Sequence, residues 1–289
     1  MKNTKRLSLY VFPFLIILLL GLSLSNWDTD AKVYSTIPKI QLRMDGFCVG
    51  SGLFSEPDVN TMNQHVKHKK YKHLQRKIQE NPGFTRFMKT HVGPQFVLQD
   101  YIWVIEKSHV NTCHRGNNGD FFNKTQKYPS YTMLLFLEDM DKCLTVYPGS
   151  HKDKYSHSVN FITPLQNIIC KKGDIVIFNA NLIHVGSLNI KNDHVRIQMK
   201  ITHKDDLQAL SYYQNFHKVA NKQSHVPKYL QKIQRSLSCA FPVVSDMTQT
   251  TNINSARGSD SGAAITPHQK VFSFIFYGNS DFYDLPNAF

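Results

Sequence analysis

Acidic residues are scarce in this sequence of 289 residues: 21 Asp and Glu stand against 34 Lys and Arg, a formal charge of +13. The imbalance points away from cationic partners and toward acidic ones: nucleic acid, anionic lipid, or phosphorylated and carboxylated substrates. A solvated basic surface accounts for the same numbers. Cysteine is scarce too. Cys48, Cys113, Cys143, Cys170 and Cys239 are scattered and include no CxxC pair, which excludes a disulfide framework and a zinc cluster. One or two disulfides remain open, and the odd count leaves at least one thiol free unless it pairs with another chain. No internal repeat is evident. What is present, 41% hydrophobic and 12% aromatic residues, excludes wholesale disorder, and the length suits one large domain with extensions.

The chain opens with a basic flank, residues 1–6, followed by an apolar, uncharged run from Leu7 to Ser25. That run has about the 20 residues needed to cross a bilayer as a helix. It is longer than the apolar region of a cleaved signal peptide, and SNWDTD after it is a poor cleavage site. Residues 7–25 are therefore expected to form a transmembrane signal anchor, with the N-terminus cytoplasmic and the body lumenal or external. Asn123-Lys124-Thr125 is a glycosylation acceptor triplet that suits such a body. Residues 26–94 form a support region, in which DVNTMNQHVKHKKYKHLQRKIQENPG reads as one strongly basic helix from an N-cap at Asp58 to a stop at Asn81-Pro82-Gly83. Its Lys67 to Lys77 cluster suits phosphates or lipid headgroups, or simply water. The lack of interleaved aromatics argues against a single-strand nucleic-acid binder.

Residues 95–205 are β-rich. Gln95 to His109, Tyr131 to Leu137, Leu144 to Tyr147, Ile168–Ile169, IVIFNA and VRIQMKI read as strands separated by turn-forming clusters such as PGSH and KKGD. Residues 206–242 read as a helical extension interrupted at Pro227, residues 243–268 as a flexible linker, and residues 269–289 as an aromatic segment. The expected fold is mainly β with flanking helices.

The polar residues that could carry chemistry, His114, Asp120, His184 and Arg196, stand at the ends of the β runs. Two histidines and one carboxylate on one face hold Fe(II) while leaving positions open for cosubstrate and oxygen. His114 and Asp120 share a loop, and His184 follows a later strand. Arg196, twelve residues on, could grip a dicarboxylate through its guanidinium fork or serve a structural ion pair. His109, His151, His157, His194 and His203 read as ordinary surface or core histidines, and Cys113 as a small buried hydrophobe. Ser150 and His151 are adjacent, so they cannot make a nucleophile–base pair. Asp174 serves the KKGD turn.

The order His114, YTMLLFLED, CLTVYPGSHK, KKGDIVIFNANLIHVGSLN and Arg196 resembles the phytanoyl-CoA dioxygenase family of Fe(II)- and 2-oxoglutarate-dependent oxygenases. PGSHK, and GDIVIF followed by His184 and Asn189, are the closest matches. The resemblance implies a double-stranded β-helix (jelly-roll, cupin-like) core. It also implies Fe(II) on His114 and His184, Arg196 on the distal carboxylate of 2-oxoglutarate, and hydroxylation of a C–H bond in a small-molecule or lipid-like substrate. One departure stands out. The family's His-any-Asp motif is here His114-Arg115-Gly116, with glycine in place of the carboxylate. Three readings stay open: Asp120 is the third ligand, a halide takes the position as in related halogenases, or the iron site is lost and the chain is a catalytically inactive β-helix binding module displayed on a membrane.

Overall fold

The computed structural model describes residues 38–108, 113–116, 118–153, 165–186, 195–210, 216–222 and 226–240, together with Thr29–Asp30 and isolated positions nearer the two ends. Short apolar runs dominate the middle of the chain, and they form strands buried on both faces. Ile175–Asn179 is buried at every position, and Tyr131–Phe136 at all but the first. In chain order the strands are β1 (Thr29–Asp30), β2 (Phe47–Gly50), β3 (Phe96–Leu98), β4 (Tyr101–Ser108), β5 (Tyr131–Phe136), β6 (Met140–Val146), β7 (Gln166–Cys170), β8 (Ile175–Asn179), β9 (His184–Gly186), β10 (Arg196–His203) and β11 (Phe216–Lys222).

The larger sheet has the order β11-β4-β10-β5-β8-β2, with β3 also paired to β10, and the smaller one has the order β1-β7-β6-β9. From β5 onward the chain passes from the larger sheet to β6 and β7 in the smaller one, back to β8, across to β9 and back to β10. This alternation is the winding of a double-stranded β-helix. A core that includes Phe47, Leu134, Phe136, Leu144, Val146, Val176 and Phe178 lies between the sheets. A second core joins the outer face of the larger sheet to the helices.

Alternation along β10 decides where its side chains go. Ile197, Met199 and Ile201 belong to the helix-side core. Arg196, Gln198, Lys200 and Thr202 therefore face the space between the sheets. The register agrees, because Arg196 lies opposite Ile105 and Phe136, two members of the inter-sheet core.

The helices are α1 (Pro38–Met44), α2 (Glu56–Lys67), α3 (Tyr71–Gln79), α4 (Pro82–His91) and α5 (Lys228–Ala240). The single basic helix expected from Asp58 is instead α2 and α3, parted where Lys69 adopts φ +54°. The break redirects the chain, so that Leu74 and Ile78 of α3 join Val59, Met62 and Val66 of α2 in one core. The N-cap is Ser55, and Asp58 is its capping-box partner and also an ion-pair partner of Lys77. The asparagine of Asn81-Pro82-Gly83 caps α4, so that sequence starts a helix as well as ending one.

The extension expected to be helical contains β11, which pairs parallel with β4 before α5 begins. The apolar run 7–25 lies almost wholly outside the described residues, as do most of 243–289. Among the described residues no helix is long and apolar enough to cross a membrane.

Two disulfides tie the structure, Cys113–Cys239 and Cys143–Cys170, with Cα atoms 4.9 and 5.9 Å apart. The first closes a loop of 126 residues, on the order of 5 kcal/mol in the chain-entropy picture. Cys48 is free and buried, and burial pushes its thiol up to about 12. A native thiol titration is accordingly expected to find no reactive cysteine, one after unfolding without reductant, and five after unfolding with reductant. Two or more reactive thiols in the unfolded, unreduced chain would contradict the pairing.

Candidate metal centre

His114 forms an isolated antiparallel bridge with His184. Each backbone N–H donates to the other residue's carbonyl at 3.0 Å. Directly opposed residues of an antiparallel pair project to the same side. Here the exchange sets the two imidazoles beside each other, with centroids 4.5 Å apart and planes at 50°. Phe178 flanks His184 at 4.5 Å.

Three contacts fix the backbone around this pair. The N–H of Gly116 donates to the Ala180 carbonyl at 2.6 Å. The Ser150 hydroxyl accepts from Ile183 N at 2.9 Å and donates to the Tyr147 carbonyl at 2.7 Å, so the PGSH turn holds the residue just before His184. On the other side, Cys113 N donates to Ser238 Oγ at 2.8 Å, and its side chain is bonded to Cys239. Helix α5 thereby clamps the residue that precedes His114.

The protonation of His184 follows from its neighbours. Its Nδ1 is 2.9 Å from the Leu182 carbonyl, which can only accept, so Nδ1 carries the hydrogen and Nε2 keeps its lone pair. Burial, reinforced by His114 and by the Lys200 ammonium, holds the ring well below its ordinary pKa despite that hydrogen bond. A neutral imidazole with an oriented Nδ1–H is the form that binds a metal.

Arg196 is half-buried on the inner face of β10. Burial lowers its pKa to about 10, which leaves it cationic at neutral pH. Among the described residues its guanidinium has no hydrogen-bond or ion-pair partner. A desolvated fork of this kind suits a carboxylate ligand.

Lys200 lies four residues further along the same face and is not part of any ligand motif in the sequence. It is buried, and its Nζ donates to Asn118 Oδ1 at 2.9 Å and to Thr132 Oγ1 at 3.1 Å. Strand rise separates it from Arg196 by about 13 Å, so the two cations serve different places. Lys200, Thr132 and Phe178 lie in one row across β10, β5 and β8, and Phe178 is the ring against His184. The signal was in RIQMKITH: lysine falls on the strand's inward phase, where a charge needs a reason.

Arg115 is fully buried. It donates to the carbonyls of Asn181 at 2.6 Å and Ser150 at 3.1 Å and lies over the Phe121 ring. It fastens the His114 loop to the turns on either side.

Asp120, the candidate third ligand, is exposed, and its Oδ1 accepts from Asn181 Nδ2 at 2.7 Å. Among the described residues no group of three His, Cys, Asp or Glu side chains could hold a metal ion. The structure thus brings His114 and His184 together and leaves Asp120 out, because the GNNGD loop turns its carboxylate to Asn181. Asn123 is buried and donates from Nδ2 to the Gly119 carbonyl at 2.8 Å, so the expected glycosylation nitrogen is enclosed in the folded chain. Asp174 acts in the KKGD turn, accepting from Lys171 N at 2.9 Å. His109, His157, Asn189 and His194 lie outside the described residues.

Asp120→Ala should leave metal affinity within about twofold of the wild type, the scale of a surface substitution. A loss of tenfold or more in a metal titration would return Asp120 to the ligand set.

Solved structures that are similar to this chain share little sequence with it. The non-heme alpha ketoglutarate dependent epimerase SnoN from nogalamycin biosynthesis is 13% identical over 57% of this chain and 79% of its own, with a TM-score of 0.46. AviO1 from Streptomyces viridochromogenes Tue57 is 14% identical over 60% and 96%, with a TM-score of 0.45. HygX from Streptomyces hygroscopicus, solved with nickel and 2-oxoglutarate, is 14% identical over 59% and 87%, with a TM-score of 0.43. Likenesses at this level carry no weight for the chemistry of the site. No curated protein matches the chain. The phytanoyl-CoA dioxygenase (PhyH) family model matches residues 58–198, the stretch that holds His114, His184 and Arg196.

Proposed function

We propose that this chain is an Fe(II)- and 2-oxoglutarate-dependent oxygenase that hydroxylates a C–H bond of a small-molecule or lipid-like substrate. The observation that carries the reading is the facing pair His114 and His184, with His184 held as a neutral ring, on the same fold as a half-buried arginine that has no hydrogen-bond or ion-pair partner among the described residues. Among the described residues these fit the metal and its cosubstrate with one protein donor fewer than the family's triad. His114 and His184 would hold the iron, and Arg196 would hold the distal carboxylate of 2-oxoglutarate. Bound there, Fe(II) with 2-oxoglutarate supplies the oxygen activation and the oxidation of the substrate.

The chain's own contribution is orientation and shielding. The Leu182 carbonyl fixes the His184 tautomer. The Arg196 fork grips a carboxylate in a region of low dielectric, where the attraction exceeds its value in water. Phe178, Leu134, Phe136 and Val176 form an apolar lining between the sheets that keeps bulk water out.

A lumenal or external location belongs to the same reading, with residues 7–25 as a signal anchor. Two buried disulfides support it, since such bonds persist in oxidising compartments.

His184→Ala is expected to abolish iron uptake and 2-oxoglutarate turnover together, whereas Arg196→Met should retain iron and weaken 2-oxoglutarate binding about tenfold to a hundredfold. Unchanged succinate production by His184→Ala would sink the assignment.

A further inference from the structure

We propose that the Cys113–Cys239 disulfide is a redox latch on the histidine site: oxidised, it seats α5 behind the His114–His184 bridge, and reduced, it releases α5, opens the bridge and weakens the hold on a metal. The inference rests on the metal-binding reading above and adds a control to it. Its starting point is the direction of neighbouring side chains. Consecutive residues of an extended strand point to opposite sides, so Cys113 and Val185 turn away from the imidazoles beside them in sequence. Both belong to one buried cluster with Leu165, Ile183 and Cys239. That cluster is the back of the bridge, and α5 supplies its Cys239.

Helix α5 reaches both sides of the bridge. On the His114 side, Ser238 Oγ accepts from Cys113 N at 2.8 Å and donates to the Arg235 carbonyl at 2.8 Å. On the His184 side, the buried Arg235 guanidinium donates to Thr145 Oγ1, and Thr145 is the register partner of Val185. The bridge itself is two backbone hydrogen bonds. α5 lies outside the family-matched stretch 58–198, and the disulfide spans 126 residues to bring it there. Cys143–Cys170 differs. It joins β6 to β7, strands that already pair through Leu144, Thr145 and Val146, so its loss leaves their ladder in place.

Opening the latch is a two-electron step. A thiolate of an external dithiol attacks one sulfur, the S–S bond breaks, and the dithiol's second sulfur closes on the first to leave as a disulfide. Its two electrons and two protons end on Cys113 and Cys239 as two thiols. Both cysteines are buried, so α5 lifts before the attack. Metal held by the bridge opposes that lift. By reciprocity, the factor by which the disulfide tightens metal binding equals the factor by which bound metal favours the disulfide. The site therefore assembles in an oxidising compartment and comes apart in a reducing one, in keeping with the lumenal or external location in the reading above.

The test compares four forms of the full chain: the oxidised wild type, Cys113→Ser/Cys239→Ser, Cys143→Ser/Cys170→Ser, and the wild type reduced with dithiothreitol and freed of it under nitrogen. Two quantities are read, amide hydrogen exchange of the metal-free chain and Co(II) affinity with 2-oxoglutarate present and oxygen excluded. In Cys113→Ser/Cys239→Ser and the reduced wild type, the His114 and His184 amides should exchange about tenfold faster or more while the amides of β5 and β8 keep their protection. Co(II) should bind these two forms about tenfold to a hundredfold more weakly, the effect seen for partners of metal ligands. Cys143→Ser/Cys170→Ser should match the oxidised wild type in both. Unchanged exchange and affinity in the reduced wild type would overturn the latch, whether or not Cys113→Ser/Cys239→Ser folds. Equal loss of protection in β5 and β8 would overturn it as well, because the cross-link would then hold the whole fold rather than the bridge. Absence of Co(II) uptake by the oxidised wild type would overturn the metal-binding reading, and the exchange arm would still decide whether the disulfide holds the bridge.

Discussion

Two backbone hydrogen bonds, exchanged between His114 and His184 at 3.0 Å, are the constraint on which the site depends. The two histidines come from stretches seventy residues apart. Their imidazoles meet because opposed residues of an antiparallel pair face the same way. Much of the surrounding structure defends that single bridge. Ser150 holds Ile183, Arg115 ties its loop to Ser150 and Asn181, and the Cys113–Cys239 disulfide brings α5 against the residue before His114. A chain segment with only one bridging residue would otherwise be free to fray.

The second organising feature is the inner face of β10. One strand carries apolar residues toward the helices and Arg196, Gln198, Lys200 and Thr202 toward the other sheet. Two cations on that face are separated by more than the length of a side chain, so each defines its own place. Arg196 lies opposite Ile105 and Phe136 without a hydrogen-bond or ion-pair partner among the described residues, whereas Lys200 is bound into the Asn118–Ser130–Thr132 network near the histidines. Charges are expensive to bury, and the two cations meet that cost differently: Lys200 through hydrogen bonds to Asn118 and Thr132, Arg196 by staying half-buried.

Much of this was legible in the sequence for identifiable reasons. Runs such as YTMLLF and IVIFN are apolar throughout and bounded by turn signals, which marks buried strands and hence a two-sheet core. PGSH was correctly a turn, but its role in fixing Ile183 is a tertiary contact that no local pattern reveals. The basic helix was misjudged as continuous because nothing in HKK marks Lys69 for a left-handed conformation; the core it must cover, not propensity, sets the break. β11 was hidden for a similar reason, since FHKVANK becomes a strand only against the edge of β4. Asp120 was a plausible ligand by spacing alone, yet loop geometry gives its carboxylate to Asn181. Lys200 belongs to no ligand motif, and only its inward phase along RIQMKITH marks it in the sequence.

The central claim is a centre built on His114 and His184, with no Asp or Glu among the described residues joining them, paired with Arg196. A crystal structure of the protein loaded with Fe(II) and 2-oxoglutarate under nitrogen tests it most directly. The account predicts metal on one nitrogen each of His114 and His184, the far carboxylate of 2-oxoglutarate on the Arg196 fork, and no Asp or Glu oxygen on the metal. Metal coordinated by Asp120, or density for 2-oxoglutarate away from Arg196, would contradict it.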